Sequence, residues 1–158
     1  MKQHARLKSE LAQVRTEYNA HRELVYRKFV EVFKTLLEEC CRDLSTAVNW
    51  DARGSEGLGK PQDYMTRVVR GVEAMFSVLH KHLPPEALQG VFQAVFDLVN
   101  KRLPELFDEV KPATPTGRSR VRVDVNHLLS CLRRLRGLKG PGDTLERFLM
   151  KNFGSGGA

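Results

Sequence analysis

Asp124, His127 and Cys131 stand at i, i+3 and i+7, a spacing that puts a carboxylate, an imidazole and a thiol on one face of a helix. Such a trio could begin a metal site or an activated thiol. A structural zinc needs a fourth ligand, and a nucleophilic cysteine needs a setting that lowers its pKa. Asp124 is also well placed to cap a helix that starts at Val125, so cap and core is the simpler reading. His80 and His82 are two residues apart and diverge on a helix near its end. Cys40 and Cys41 point about 100° apart on a helix, too far to chelate one ion together, and read as small buried thiols. An odd count of three cysteines suits a reducing compartment better than a disulfide framework. Gly57-Leu58-Gly59 is followed by no phosphate-binding continuation and adjoins no strand. No grouping unites nucleophile, base and oxyanion donor. The sequence is therefore read as non-enzymatic, with no cofactor, metal or small-molecule substrate expected.

The remaining chemistry is charge. Residues 111–140 hold Lys111, Arg118, Arg120, Arg122, Arg133, Arg134, Arg136 and Lys139 against one acid, Asp124. The rest of the chain is balanced, so this segment carries the whole formal excess of +7. A local excess of this kind can meet an anionic membrane, an acidic protein segment or nucleic-acid phosphate, or it can simply solubilise. No aromatic residue interrupts the segment to offer a stacking platform, which makes a basic helical nucleic-acid-binding domain the alternative rather than the first choice.

The elements that position these residues are helices. From Met1 to Trp50 there is no glycine or proline, and apolar residues recur three or four apart from Leu7 to Ala47. This spacing predicts one very long helix, or two nearly continuous ones with a weak point at Asn19-Ala20-His21. Leu7, Leu11, Val14 and Tyr18 form only a narrow seam, suited to a neighbouring helix or preceding chain rather than a broad core. Three glycines within residues 51–60 predict a flexible connection, after which Pro61 fits the first turn of a second helix ending at Leu83-Pro84-Pro85. A third helix starts at Pro85-Glu86, with a kink or restart expected at Pro104. Residues 111–119 read as a loop, and Val121 to Val125 as extended chain without a partner strand. Asp124 then caps a helix closed by Gly137, and Asp143 with Glu146 makes a capping-box-like start for a last short helix.

The expected fold is all-α: an antiparallel up-and-down helical bundle with a long N-terminal helix. Residues 1–153 would form a single domain, 1–20 a peripheral extension of its first helix, and 154–158 a disordered tail. No apolar run approaches the about 20 residues of a membrane span, and no secretory signal is visible at the start, which leads to a cytosolic expectation.

One resemblance adds to this reading. The run Asp124-Val125-Asn126-His127-Leu128-Leu129-Ser130-Cys131-Leu132-Arg133-Arg134-Leu135-Arg136-Gly137-Leu138 resembles the Asp-Val, then Leu-x-x-Leu-x-Gly-Leu, pattern of a subunit family of the Golgi-associated retrograde protein (GARP) tethering complex, the vacuolar protein sorting fifty-four family. Leu83-Pro84-Pro85-Glu86, with Phe92, Phe96 and Lys101-Arg102-Leu103 beyond it, is similar to the same family's Leu-Pro-x-Glu helix, and His21-Arg22 leading to Phe29-Val30-Glu31-Val32 to the helix before. The likeness spans about residues 20 to 140; Pro104 and the basic run from Arg118 to Arg122 depart from it. It implies the C-terminal helical module of a tethering subunit acting in retrograde transport from endosomes to the trans-Golgi network. The implied partners are other tethering-complex subunits, through the rest of a full-length chain, and an endosomal membrane or membrane-bound protein. The implied location is cytosolic, peripheral to trans-Golgi network and endosomal membranes.

Overall fold

The first break in the chain falls where no glycine or proline stands. The computed structural model describes residues 2–54 and 57–154, and its first helix, α1 (Lys2–Cys40), runs unbroken through Asn19-Ala20-His21. It stops at Cys41-Arg42-Asp43, where Asp43 takes a left-handed conformation at φ 54°, one that aspartate tolerates better than most residues. The turn releases a short helix, α2 (Leu44–Ala47), and swings Trp50 into the core, where its indole N–H donates to the Leu44 carbonyl at 2.8 Å. Part of the predicted 51–60 connection, and the predicted tail beyond residue 154, lie outside the described residues.

Four more helices follow: α3 (Asp63–His82), α4 (Pro85–Asp108), α5 (Pro115–Arg133) and α6 (Thr144–Phe153). No strand occurs among the described residues, and the all-α bundle stands as expected. Several boundaries differ from the sequence reading. The second helix starts at Asp63 rather than Pro61, because Gln62 stays extended and donates its backbone N–H to Asp124 at 2.9 Å. Pro104 causes no restart: α4 continues through it with Leu103 and Phe107 both fully buried. The presumed loop and extended chain of residues 115–125 are the first half of α5, capped by Thr114 and not by Asp124. That helix also ends at Arg133, and Gly137, at φ 78°, turns the chain afterwards. Asp143 makes no side-chain capping bond and instead pairs with Arg147 at 3.2 Å.

Chain direction can be followed from pairs of contacts. Leu36 of α1 faces Gly71 of α3, and residues near Cys40 meet those near Tyr64, so these two helices are antiparallel. Tyr26 of α1 lies by Ala87 while Glu38 reaches Arg102, so α1 and α4 run the same way. Asp124 reaches Tyr64 and Cys131 reaches Glu73, which makes α5 parallel to α3. Arg122 at Phe153 and Arg133 at Glu146 make α6 antiparallel to α5. Successive long helices alternate in direction, yet side-by-side neighbours are not always successive: α3 and α4, joined by Leu83 and Pro84, meet weakly, and α1 packs on both. The helices close a ring in the order α1, α3, α5, α6, α4.

Inside the ring lie Phe33 and Leu37 from α1, Met65 and Val72 from α3, Phe92 and Phe96 from α4, and Val121 and Leu128 from α5, all fully buried. Burying side chains of this size contributes about 1.5–3 kcal/mol each. The first half of α1 is different. Every residue from 5 to 21 is exposed, and Leu7, Leu11, Val14 and Tyr18 keep 53%, 60%, 61% and 64% of their surface in solvent.

Candidate interaction surface

The basic segment begins at a clamp that the sequence concealed. The Asp51 carboxylate accepts the backbone N–H groups of Ala113 and Thr114, both at 2.9 Å, and the Thr114 hydroxyl at 2.6 Å. These bonds, led by that hydroxyl, hold its pKa below the usual carboxylate value. The Thr114 oxygen in turn accepts the Gly117 N–H at 3.0 Å and so starts α5. A Cβ on Gly117 would sit 2.4 Å from the Asp51 carboxylate and 2.6 Å from Pro112, so only glycine fits where the 50–51 turn crosses the helix. Arg120 then donates to the Trp50 carbonyl and Arg122 to the Phe153 carbonyl at the end of α6, where a cation meets the negative end of the helix dipole.

Among the described residues Asp124 is the acid that the core encloses. It has no solvent exposure and accepts hydrogen bonds from the Tyr64 hydroxyl at 2.7 Å and from the Gln62 side chain at 2.8 Å, besides the Gln62 backbone bond. Burial pushes its pKa up, and those three bonds oppose the rise. Burial, together with the nearby Asp124 charge, drives the Tyr64 phenol well above its ordinary value. A carboxylate so occupied is an anchor between α3 and α5 and no longer a free ligand for the trio with His127 and Cys131. Among the described residues no three His, Cys, Asp or Glu side chains are grouped to hold a metal ion. Cys40, Cys41 and Cys131 are all free and buried. Burial raises the thiol of Cys41 to about 12 and that of Cys131 to about 11, so neither is a thiolate near neutrality.

The eight basic residues do not form one patch. At 1.5 Å per residue, Arg118 and Arg134 are about 24 Å apart along α5. At the near end, Lys111 and Arg118 flank a cleft of about 310 Å³ lined also by Asp108 and Phe148, while Arg120 and Arg122 are engaged by the carbonyls already named. At the far end, Arg133, Arg134, Arg136 and Lys139 are all exposed. Arg133 pairs with Glu146 and Arg134 bonds the Ser130 carbonyl at 3.2 Å. The backbone N–H of Lys139 donates to Gln89 at 2.8 Å, which ties the far end to α4 and leaves the lysine side chain outward. The far end therefore carries the more available charge.

A second concavity, of about 420 Å³, opens between α1 and α4 and was not foreseen from the sequence. Arg22, Tyr26 and Glu31 line one wall, Glu86 and Gly90 the other. The Arg22 guanidinium lies 5.8 Å from the centre of the Tyr26 ring, and its buried Nε has no protein partner. The signal that could have found it is the row of small residues Ala87, Gly90 and Ala94 on that face of α4. No helix among the described residues is long and apolar enough to cross a membrane.

No family model matches the chain. The chain is similar to a protein of Arabidopsis thaliana named vacuolar protein sorting-associated protein 54, chloroplastic, with 20% identity over 148 residues, or 94% of this chain. It spans 14% of that relative's length.

Proposed function

We propose that this chain is a non-enzymatic helical module of a multisubunit tethering complex, of the vacuolar protein sorting fifty-four type, serving as a docking surface in retrograde transport from endosomes to the trans-Golgi network. The observation that carries this reading is the similarity over 94% of the chain to a vacuolar protein sorting protein, joined to the motifs around Asp124 and Leu83 that suggested the same family. Its partners on this reading are other subunits of the complex, reached through further chain, and an endosomal membrane or a protein on it.

The docking groups are the exposed cations at the far end of α5, Arg134, Arg136 and Lys139, with Arg133 shared with Glu146. Each cation brought to an anionic leaflet contributes about 1 kcal/mol. Screening over about 8 Å at physiological ionic strength makes the two ends of the helix separate contacts. Arg120 and Arg122 serve the fold through their carbonyl bonds, and Arg118 and Lys111 form a secondary contact beside the cleft.

Liposome flotation tests the reading. The chain should float with vesicles containing phosphatidylserine at low salt, lose binding at high salt, and lose it again when Arg134, Arg136 and Lys139 are changed to Glu. Changes at Arg120 or Arg122 would confound binding with folding. A duplex and single-strand nucleic-acid titration runs beside it. Salt-sensitive nucleic-acid binding without flotation would favour the basic nucleic-acid-binding domain, and absence of both would remove the membrane contact from the proposal.

A further inference from the structure

The exposed first half of α1 has the pattern of a seam awaiting another helix. Leu7, Leu11, Val14 and Tyr18 follow one another at intervals of four, three and four, the a/d spacing of a coiled coil. Tyr18 is 64% exposed, and the next d position, His21, ends the exposed apolar row before Val25, which is half-buried. With Leu7 and Val14 at d, the flanking e positions are Lys8 and Arg15 and the g positions are Glu10 and Glu17. One flank is therefore basic and the other acidic.

Those flanks choose the partner and its direction. In a parallel, in-register pair, each g residue faces the e residue five positions later on the opposite helix. Glu10 would meet Arg15 of a second copy, and the reciprocal contact repeats by symmetry. In an antiparallel pair of copies, e faces e and g faces g, so Lys8 and Arg15 would meet cations, and Glu10 and Glu17 would meet anions. We infer that α1 pairs in parallel with α1 of a second copy of this chain through residues 7 to 18. Glu10 also meets Arg6 on its own helix at 3.3 Å, in a pair whose side chains are 82% and 61% exposed, and a pair so solvated yields readily to a second cation. The seam is two heptads long, so the association is weak and concentration-dependent.

Sedimentation equilibrium across about 10 µM to 1 mM, a range reaching the weakest specific affinities, reads the mass of the full chain. The expected result is a rise from one chain mass toward two. Leu11→Asp should hold the mass at one chain at every concentration, with an unchanged helical spectrum because Leu11 packs on nothing in the bundle. Glu10→Lys with Glu17→Lys, and separately Lys8→Glu with Arg15→Glu, should each remain single, while an equimolar mixture of the two variants should associate. Orientation is read with Leu7→Cys: oxidation should give a covalent dimer, since residue 7 faces its own copy only in the parallel pair and the native thiols are buried. A wild-type mass that stays at one chain up to 1 mM, association unaffected by the charge reversals, or failure of the residue 7 crosslink in an associating sample would each overturn the inference. A seam covered instead by a different helix gives the first of these results.

Discussion

The two halves of α1 are one continuous helix with the same apolar spacing, and they end in opposite surroundings. Phe33 and Leu37 are fully buried between α3 and α4, while Leu7 and Leu11 keep more than half of their surface in water. Length alone forces part of this difference. At 1.5 Å per residue a 39-residue helix extends about 58 Å, whereas the 24 residues of α4 extend about 36 Å, so the longer helix must overhang its neighbour. Periodicity marks the face that seeks cover; whether cover arrives depends on how far the neighbouring helices reach.

The contrast can be broken from the buried side first. Phe33→Ala should lower stability by about 3–5 kcal/mol in urea unfolding, since the ring leaves a cavity that α3 and α4 cannot close. A loss below about 1 kcal/mol would place Phe33 outside the core after all. Next in size is the anchor that holds α5 to α3. Asp124→Ala leaves Tyr64 and two Gln62 donors without their acceptor and should cost about 3 kcal/mol by the same measurement.

A smaller effect comes from Glu38, which joins the buried half of α1 to α4. Its bidentate bonds to Arg102 hold its pKa below the ordinary 4.5. The contribution is present above that ordinary value and disappears as pH falls through the lower folded one. Because the pair is about one-third exposed, Glu38→Gln should cost about 0.5–1 kcal/mol at neutral pH and flatten the acid limb of the stability curve. Asp124 has the opposite sign. Burial lifts its folded value above 3.8, so the folded chain binds the extra proton, and between those two values stability rises as pH falls. Smallest of all is Leu11→Ala in the exposed half, expected within about 0.5 kcal/mol of the parent in a dilute sample.

What the sequence disclosed follows the same division between local and distant causes. The start of α4, the stop at Leu83-Pro84-Pro85 and the buried thiols are set by neighbouring residues, and those features were legible; the start of α3 was displaced from Pro61 to Asp63 by the distant Asp124. The break at Asp43 was not, because Cys41-Arg42-Asp43 carries no breaker and the turn exists to bring Trp50 between Tyr64 and Phe107, with ring centres 6.1 Å from each. The first half of α5 was misread for a related reason. Val121-Arg122-Val123-Asp124-Val125 alternates, and an acid looks out of place on a core face, but Val121, Val125, Leu128 and Leu132 already kept a four, three, four spacing through it. The acid belongs on that face because Gln62 and Tyr64, some sixty positions earlier, supply its donors. The basic segment was visible as composition, but its division between the two ends of α5 required the helix itself.

The pins on α5 have a consequence for motion. Thr116, Gly117, Ser119, Val121, Val123 and Val125 are modest or poor helix formers, so the first half of α5 has little reason to stay wound once Asp51 lets go of Thr114 or Gln62 lets go of Asp124. Its opening is thereby coupled to Trp50-Asp51 and to the first turn of α3, and the bonded amides of Gln62, Met65 and Thr66 should exchange for deuterium with those of the first half of α5 as a single unit near the global unfolding limit. The amides of residues 8–20 lie on better helix formers yet have no such hold, and they should exchange by fraying, long before the rest of the protein opens.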